Sequence, residues 1–270
     1  MADADDAEGE AGPPHRLRCR ECGETYRDRW RCRCGAPLDF ADPPVPEGAP
    51  PDPASFDARD GLWAFDDLLA VGADPRDRVT LGEGVTPLVD ADRSTSMDAA
   101  SGDGAAGSDG AASGDGGTPP WGASFKLEYV FPTGSFKDRG ATATLTRARE
   151  LGVERVVEDS SGNAGAAVAT YAARAGIAAE IYVPADAKES KLRAIRRAGA
   201  DPVRVEGSRQ DVTDACVAAL TGESAESVDD STGAWYASHA WNPAFFEGTA
   251  TVAYEIALQR GWDAPDAVVV

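Results

Sequence analysis

From Phe125 onward, short apolar runs alternate with longer stretches whose apolar residues recur at helical spacing. Runs at 153–157, 177–183, 202–205, 235–238 and 267–270 read as strands, rich in Val and Ile. Between them, 136–151, 163–175, 189–198, 211–220 and 244–260 read as helices. Repeated strand–helix–strand order predicts an α/β fold, a parallel sheet with helices on both faces. Ligands of such sheets bind beyond the carboxyl ends of the strands, so the strand-to-helix turns are the places to seek chemistry. The last run, 267–270, stops without a turn or cap, as though cut mid-element; a natural edge strand is the alternative.

The first half of the chain lacks this rhythm. An acidic tail (1–14) precedes a cysteine-rich segment (15–41) and a Pro-rich linker (42–60). Residues 61–135 read as the first part of a larger domain. They include a short amphipathic segment at 62–69 and the turn-rich run Leu81-Gly82-Glu83-Gly84-Val85-Thr86-Pro87-Leu88. An insertion at 94–120, almost all Gly, Ala, Ser and Asp, cannot bury a core and is expected to be a disordered surface loop. Each doubling of its length costs the fold only about 0.6 kcal/mol. Residues 136–240 form a small α/β domain, and 241–270 return to the larger one.

Charge narrows the partners. A net charge of -20 disfavours nucleic-acid phosphates. Abundant Asp, and Arg in excess of Lys, suit a salt-rich cytosol and a halophilic source, although a GC-rich genome also yields such a composition. No run is apolar enough to span a membrane and the N-terminus has no leader pattern, so a cytoplasmic location is expected. In that compartment Cys19, Cys22, Cys32 and Cys34 read as metal ligands rather than disulfides. Cys19-Arg20-Glu21-Cys22-Gly23 has the form of a metal knuckle, whereas Cys32-Arg33-Cys34-Gly35 is one residue short of it. Four thiolates on one zinc would supply about 10–16 kcal/mol to a segment with little core, with a redox pair or a metal-free remnant as alternatives. Cys216, among apolar residues on a helix, reads as core; Tyr236 and Trp241 read as strand packing. His15 and His239 stand far apart with no serine-nucleophile elbow beside them.

Two turns carry candidate chemistry. In Pro132-Thr133-Gly134-Ser135-Phe136-Lys137-Asp138-Arg139-Gly140, Ser135 is placed to cap a helix whose first turn holds Lys137. A helix N-terminus disfavours a cation, and burial would add to this, so the neutral amine that attacks aldehydes is favoured. The alternative is a solvated lysine paired with Asp138. In Glu158-Asp159-Ser160-Ser161-Gly162-Asn163-Ala164-Gly165, hydroxyls and glycines at a helix start make an anion cradle, or an ordinary cap.

Taken together, Ser-Phe-Lys-Asp-Arg-Gly and Ser-Ser-Gly-Asn-Ala-Gly some twenty residues later resemble the fold-type II pyridoxal-phosphate (PLP) enzymes. That family contains threonine synthase, the threonine and serine ammonia-lyases and the tryptophan synthase β chain. The resemblance runs from about residue 81 to 270, omitting the insertion, and takes in residues 82–88 and Lys126-Leu127-Glu128. It implies that Lys137 forms the Schiff base with PLP and moves the proton at the substrate's α-carbon. It further implies that Asn163 bonds the cofactor's 3'-hydroxyl, that Phe136 packs near the cofactor, and that Ser160, Ser161 and Gly162, with Thr133, bind an amino-acid substrate.

Residues 132–140, Asn242-Pro243 and Glu247-Gly248-Thr249 are most similar to the threonine-synthase branch. Phe131, Ser161 and Ala250 depart from that branch's usual residues. The cysteine segment is similar to a ribbon that often opens archaeal members. In this family the glycine-rich loop for the PLP phosphate and the partner of the pyridine nitrogen follow the strand on which this chain ends, so the resemblance implies a C-terminal truncation. A homo-oligomer is compatible with it. The implied reaction is conversion of O-phospho-L-homoserine and water to L-threonine and phosphate. An ammonia-lyase, or a non-catalytic zinc-ribbon protein on a degenerate PLP fold, are the other readings.

Overall fold

The computed structural model describes residues 15–91, 122–220 and 234–269. The acidic tail, the 94–120 insertion and Val270 lie outside them. Strands β6 (Arg155–Glu158), β7 (Ala178–Pro184), β8 (Asp201–Val205) and β9 (Ala234–Tyr236) pair in parallel, in the order β8-β7-β6-β9. Helices α1 (Lys137–Glu150), α2 (Asn163–Ala175), α3 (Glu189–Arg197), α4 (Arg209–Ala218) and α5 (Pro243–Gln259) complete the body.

Side chains alternate across a strand, and the sheet sorts its residues accordingly. Val156, Ile181 and Val183 face a core built with Leu145 of α1, Val168 and Tyr171 of α2, and Leu192 and Ile195 of α3. Val157 and Tyr182 face the other way, onto Val212 and Cys216 of α4 and Tyr236. Cys216 is buried, and burial pushes its thiol well above the ordinary range, as suits a core residue. The fold is the expected α/β sheet flanked by helices.

One expected strand does not form. Residues 267–269 pair with nothing among the described residues, and Val268 and Val269 are 62% and 96% exposed. An apolar run becomes a strand only where a ladder partner takes its N–H and C=O groups, and here α5 is followed by surface turns.

The N-terminal segment is a small antiparallel sheet, β2 (Thr25–Tyr26), β1 (Leu17–Cys19) and β3 (Leu38–Phe40) in that order. It rests on the body through Trp30, edge-on to Tyr236 and Trp241, and through Asp28, which accepts the Trp235 indole N–H at 2.7 Å. Strands β4 (Leu88–Ala91) and β5 (Ala123–Lys126) form an antiparallel pair flanking the missing insertion. The amphipathic segment is a kinked 3-10 stretch, Ala58–Leu68, that buries Leu62, Trp63 and Phe65.

Four charged residues lie deep between these parts. The Arg139 guanidinium, fully buried, donates to Glu128 at 2.7 and 2.9 Å and to Glu255 at 2.6 and 2.9 Å. Lys126 Nζ donates to Glu255 at 2.7 Å and to the Thr86 carbonyl at 2.6 Å. Glu255 also accepts the N–H groups of Val85 and Thr86, at 2.7 and 3.1 Å. Two cations and two carboxylates make a neutral quartet that joins residues 82–88, 126–128, α1 and α5. Burial alone would lower the Arg139 pKa, but Glu128 and Glu255 raise it, and Glu255 is in turn held below the usual carboxylate range.

Candidate active site

Lys137 is the first residue of α1. Its N–H meets Ser135 Oγ at 3.3 Å, but the cap position itself is Phe136, with no side-chain cap bond. Ser135 is therefore a weak local brace rather than the expected cap.

The Lys137 ammonium has no carboxylate within reach among the described residues. It lies 4.6 Å from the centroid of the Phe136 ring and 5.8 Å from that of Phe245 on α5. Asp138, the expected partner of a solvated lysine, points elsewhere. It is buried and accepts the Thr133 N–H at 2.9 Å together with the Thr133 hydroxyl. Burial raises the Asp138 pKa against those hydrogen bonds. Beside it Tyr171 donates to Glu83 at 2.8 Å, so Glu83 of residues 82–88 is fixed under the lysine turn.

The geometry around Lys137 depends on absent side chains. A Cβ at Gly140 would overlap the Phe245 ring, and one at Gly248 would overlap the Arg139 carbonyl. These two glycines let α5 close onto the first turns of α1 and bring Phe245 to the lysine.

The second turn leaves the carboxyl end of β6. Asn163 opens α2 and is exposed, and its side-chain amide meets no partner among the described residues. Gly162 is the cap residue, with its N–H on Ser160 Oγ at 3.2 Å. Ser160, Ser161 and Gly162 are half-buried, at the rim of the sheet's carboxyl end. The two turns are linked through the molecule: Phe245, which flanks Lys137, also packs edge-on against His239, and His239 Nδ1 lies 2.7 Å from Glu158 at the end of β6. Thr133 differs from the rest, since Asp138 already takes both of its donors.

Sequence reasoning named His239 and Glu158 without giving either a role, and did not single out Phe245. A buried Glu at a strand end was the only local sign, and nothing near Glu158 in sequence points to its partner 81 positions away.

The cofactor family is decided by comparison. The pyridoxal-phosphate dependent enzyme family matches residues 114–270, more than half of the chain. The chain belongs to that family. Among its relatives, the threonine synthase of Methanocaldococcus jannaschii is 32% identical over 258 residues, covering 94% of this chain and 56% of that protein. That of Methanosarcina acetivorans is 31% identical over 260 residues, covering 95% and 56%. The chain thus spans little more than half the length of these curated relatives. A cysteine synthase from Entamoeba histolytica has the same fold, with a TM-score of 0.52 at 20% identity over 67% of this chain and 48% of that one. As a pyridoxal-phosphate dependent enzyme the chain needs an amine that can reach the cofactor's aldehyde. Lys137, without an ion-pair partner and set between two phenyl rings, fits that need.

The four cysteines of the ribbon converge, with their sulfurs all within 4.8 Å of one another. Cys19 and Cys34 are 3.5 Å apart, and Cys22 and Cys32 are 3.4 Å apart. A tetrahedral ion with bonds of about 2.3 Å would set sulfur–sulfur edges near ~3.8 Å, so only a slight spreading is required. The missing residue in the second pair therefore does not prevent convergence. Cys19 accepts N–H groups from Glu21 and Cys22, both at 3.4 Å, as a knuckle turn requires. The Tyr26 hydroxyl draws the Cys32 thiol down to about 6. Cys22, despite lowering by the Glu24 backbone, is pushed up to about 12 by hydrogen bonds with Cys32 and Cys19. Four sulfurs this close cannot all be thiolates without a cation among them. No helix among the described residues is long and apolar enough to cross a membrane.

Proposed function

We propose that the chain works as a carbon–oxygen lyase of the threonine-synthase type, taking O-phospho-L-homoserine and water to L-threonine and phosphate. The observation that carries this reading is Lys137, held at the start of α1 near Phe136 and Phe245 with no ion-pair partner among the described residues. The names of the relatives supply the branch.

PLP, when bound, draws electrons away from the substrate's α-carbon. Lys137 holds the cofactor covalently at rest and afterwards carries the proton at that carbon. Phe136 and Phe245 line the amine, with ring centroids at 4.6 and 5.8 Å. The Ser160–Ser161–Gly162 turn, at the N-terminus of α2, receives the substrate carboxylate at the positive end of that helix. Asn163 orients the cofactor ring through its free amide. The cysteine cluster, Cys19, Cys22, Cys32 and Cys34, would hold a structural zinc ion.

The test combines colour and products. The protein with PLP is expected to absorb in the visible, to bleach with borohydride, and to lose both properties in Lys137→Ala. Incubation with O-phospho-L-homoserine should release threonine and phosphate in equal amounts. Formation of a 2-oxo acid from threonine, with no phosphate release from phosphohomoserine, would replace this reading with an ammonia-lyase.

A further inference from the structure

The sheet order reverses at β6: β7 and β8 lie on one side of it and β9 on the other. Such a reversal opens a crevice at the carboxyl ends of the strands, where ligands of parallel sheets bind. Two titratable side chains meet at this point. Glu158 ends β6 and is fully buried, while His239 follows β9 with a quarter of its side chain exposed. Glu158 Oε1 and His239 Nδ1 are 2.7 Å apart. Glu158 Oε2 has no other partner among the described residues.

Neighbouring groups leave this pair to itself. Asp159, next in sequence, is already taken by Arg209 at 2.9 Å, by the Thr213 hydroxyl at 2.6 Å and by the Tyr236 hydroxyl at 2.9 Å. Lys137 Nζ lies 5.8 Å from the centroid of the Phe245 ring that His239 meets edge-on, and it does not pair with Glu158.

Here a buried carboxylate fixes one nitrogen, and with it the orientation of the ring, and leaves Nε2 with no partner among the described residues. That nitrogen belongs to a ring in contact with the phenyl group that flanks the cofactor lysine. We propose that His239 is a specificity-determining residue: positioned by Glu158, it donates from Nε2 to an anionic oxygen on the substrate's side chain. The inference rests on the reading above for the identity of that anion, a phosphate ester, but not for the pair itself. With Nδ1 engaged by Glu158, Nε2 is the ring nitrogen left to meet an arriving anion.

This chain has two histidines, so the imidazole resonances of the PLP-loaded chain are assigned by comparison with His239→Gln. Inorganic phosphate is titrated against chloride at constant ionic strength. Phosphate should move the His239 signals saturably and leave those of His15 in place. Glu158→Gln should weaken phosphate binding about tenfold, the scale of one charge-assisted hydrogen bond. In turnover, His239→Gln should raise KM for phosphohomoserine about tenfold, with a much smaller change in kcat and an unchanged cofactor spectrum. His239→Arg, which restores a cationic donor, should recover part of the loss in KM. If phosphate leaves His239 unmoved, or His239→Gln leaves KM unchanged, the inference is overturned. If the wild type does not consume phosphohomoserine but phosphate still moves His239, the anion site stands and the named substrate falls.

Discussion

The cysteine ribbon and the parallel-sheet body achieve order by opposite means. The ribbon spans three strands of two or three residues each, and its buried side chains are few: Leu17, Cys19, Cys32, Leu38 and Phe40 lead them. Hydrophobic burial at about 25 cal/mol per Å² cannot offset the ordering entropy of so short a segment. The body buries whole faces of α1 and α2 against the sheet and keeps its one large polar cluster neutral and hydrogen-bonded. In the first region four converging sulfurs are the main local feature, and in the second packing among distant segments is.

The comparison breaks most readily at the sulfurs. Cys32→Ser, or metal chelation, should unfold the ribbon, because a structural zinc contributes on the order of 10 kcal/mol. Fluorescence of Trp30, which packs on Tyr236 and Trp241, reports the loss, while far-ultraviolet circular dichroism should show the helices of the body retained. A ribbon that stays folded without metal would remove the contrast.

In the body the largest single effect should come from the quartet. Arg139→Met leaves Glu128 and Glu255 buried with a reduced counter-charge and should cost about 3–5 kcal/mol in urea unfolding. Adding Glu255→Gln to it should cost less than the sum of the two separate changes, since the partners form one unit. The pH dependence has a definite sign. Glu255 has a folded-state pKa below its unfolded value, so its contribution is fully present above the ordinary glutamate range. It is lost as pH falls through the lowered value, and the cost of Glu255→Gln should shrink over that window.

Smaller and sharper is a pair of glycine substitutions. Gly248→Ala drives a methyl into the Arg139 carbonyl and Ala143, and should cost about 1–3 kcal/mol with a matching fall in Tm. Gly23→Ala, at φ +74° with open space around it, meets only backbone strain of about 1 kcal/mol, confined to the ribbon.

How legible each region was in the sequence follows the same division. The ribbon's cysteines, which converge, and the two turns that open α1 and α2 at Lys137 and Asn163 are local patterns in the sequence. The strands and helices of 153–260 also carry local periodicity, and their observed bounds lie within about two residues of the expected ones. What stayed hidden is pairing at a distance. Nothing near Arg139 announces Glu255, 116 positions on, and nothing near Glu158 announces His239. Residues 267–269 failed for the converse reason: an apolar run states a preference, but a strand also needs a neighbour.

The Trp235–Asp28 hydrogen bond joins residues 207 positions apart. On the ribosome, at 5–20 residues per second, that interval amounts to roughly 10–40 s. The ribbon leaves the tunnel before its docking ground, Trp235, Tyr236 and Trp241, is made. For that time the cysteines stand beside a growing, unfinished chain. Capture of metal early in synthesis would therefore act as a chaperone in cis, keeping four reactive thiols out of circulation until the body is ready to receive them.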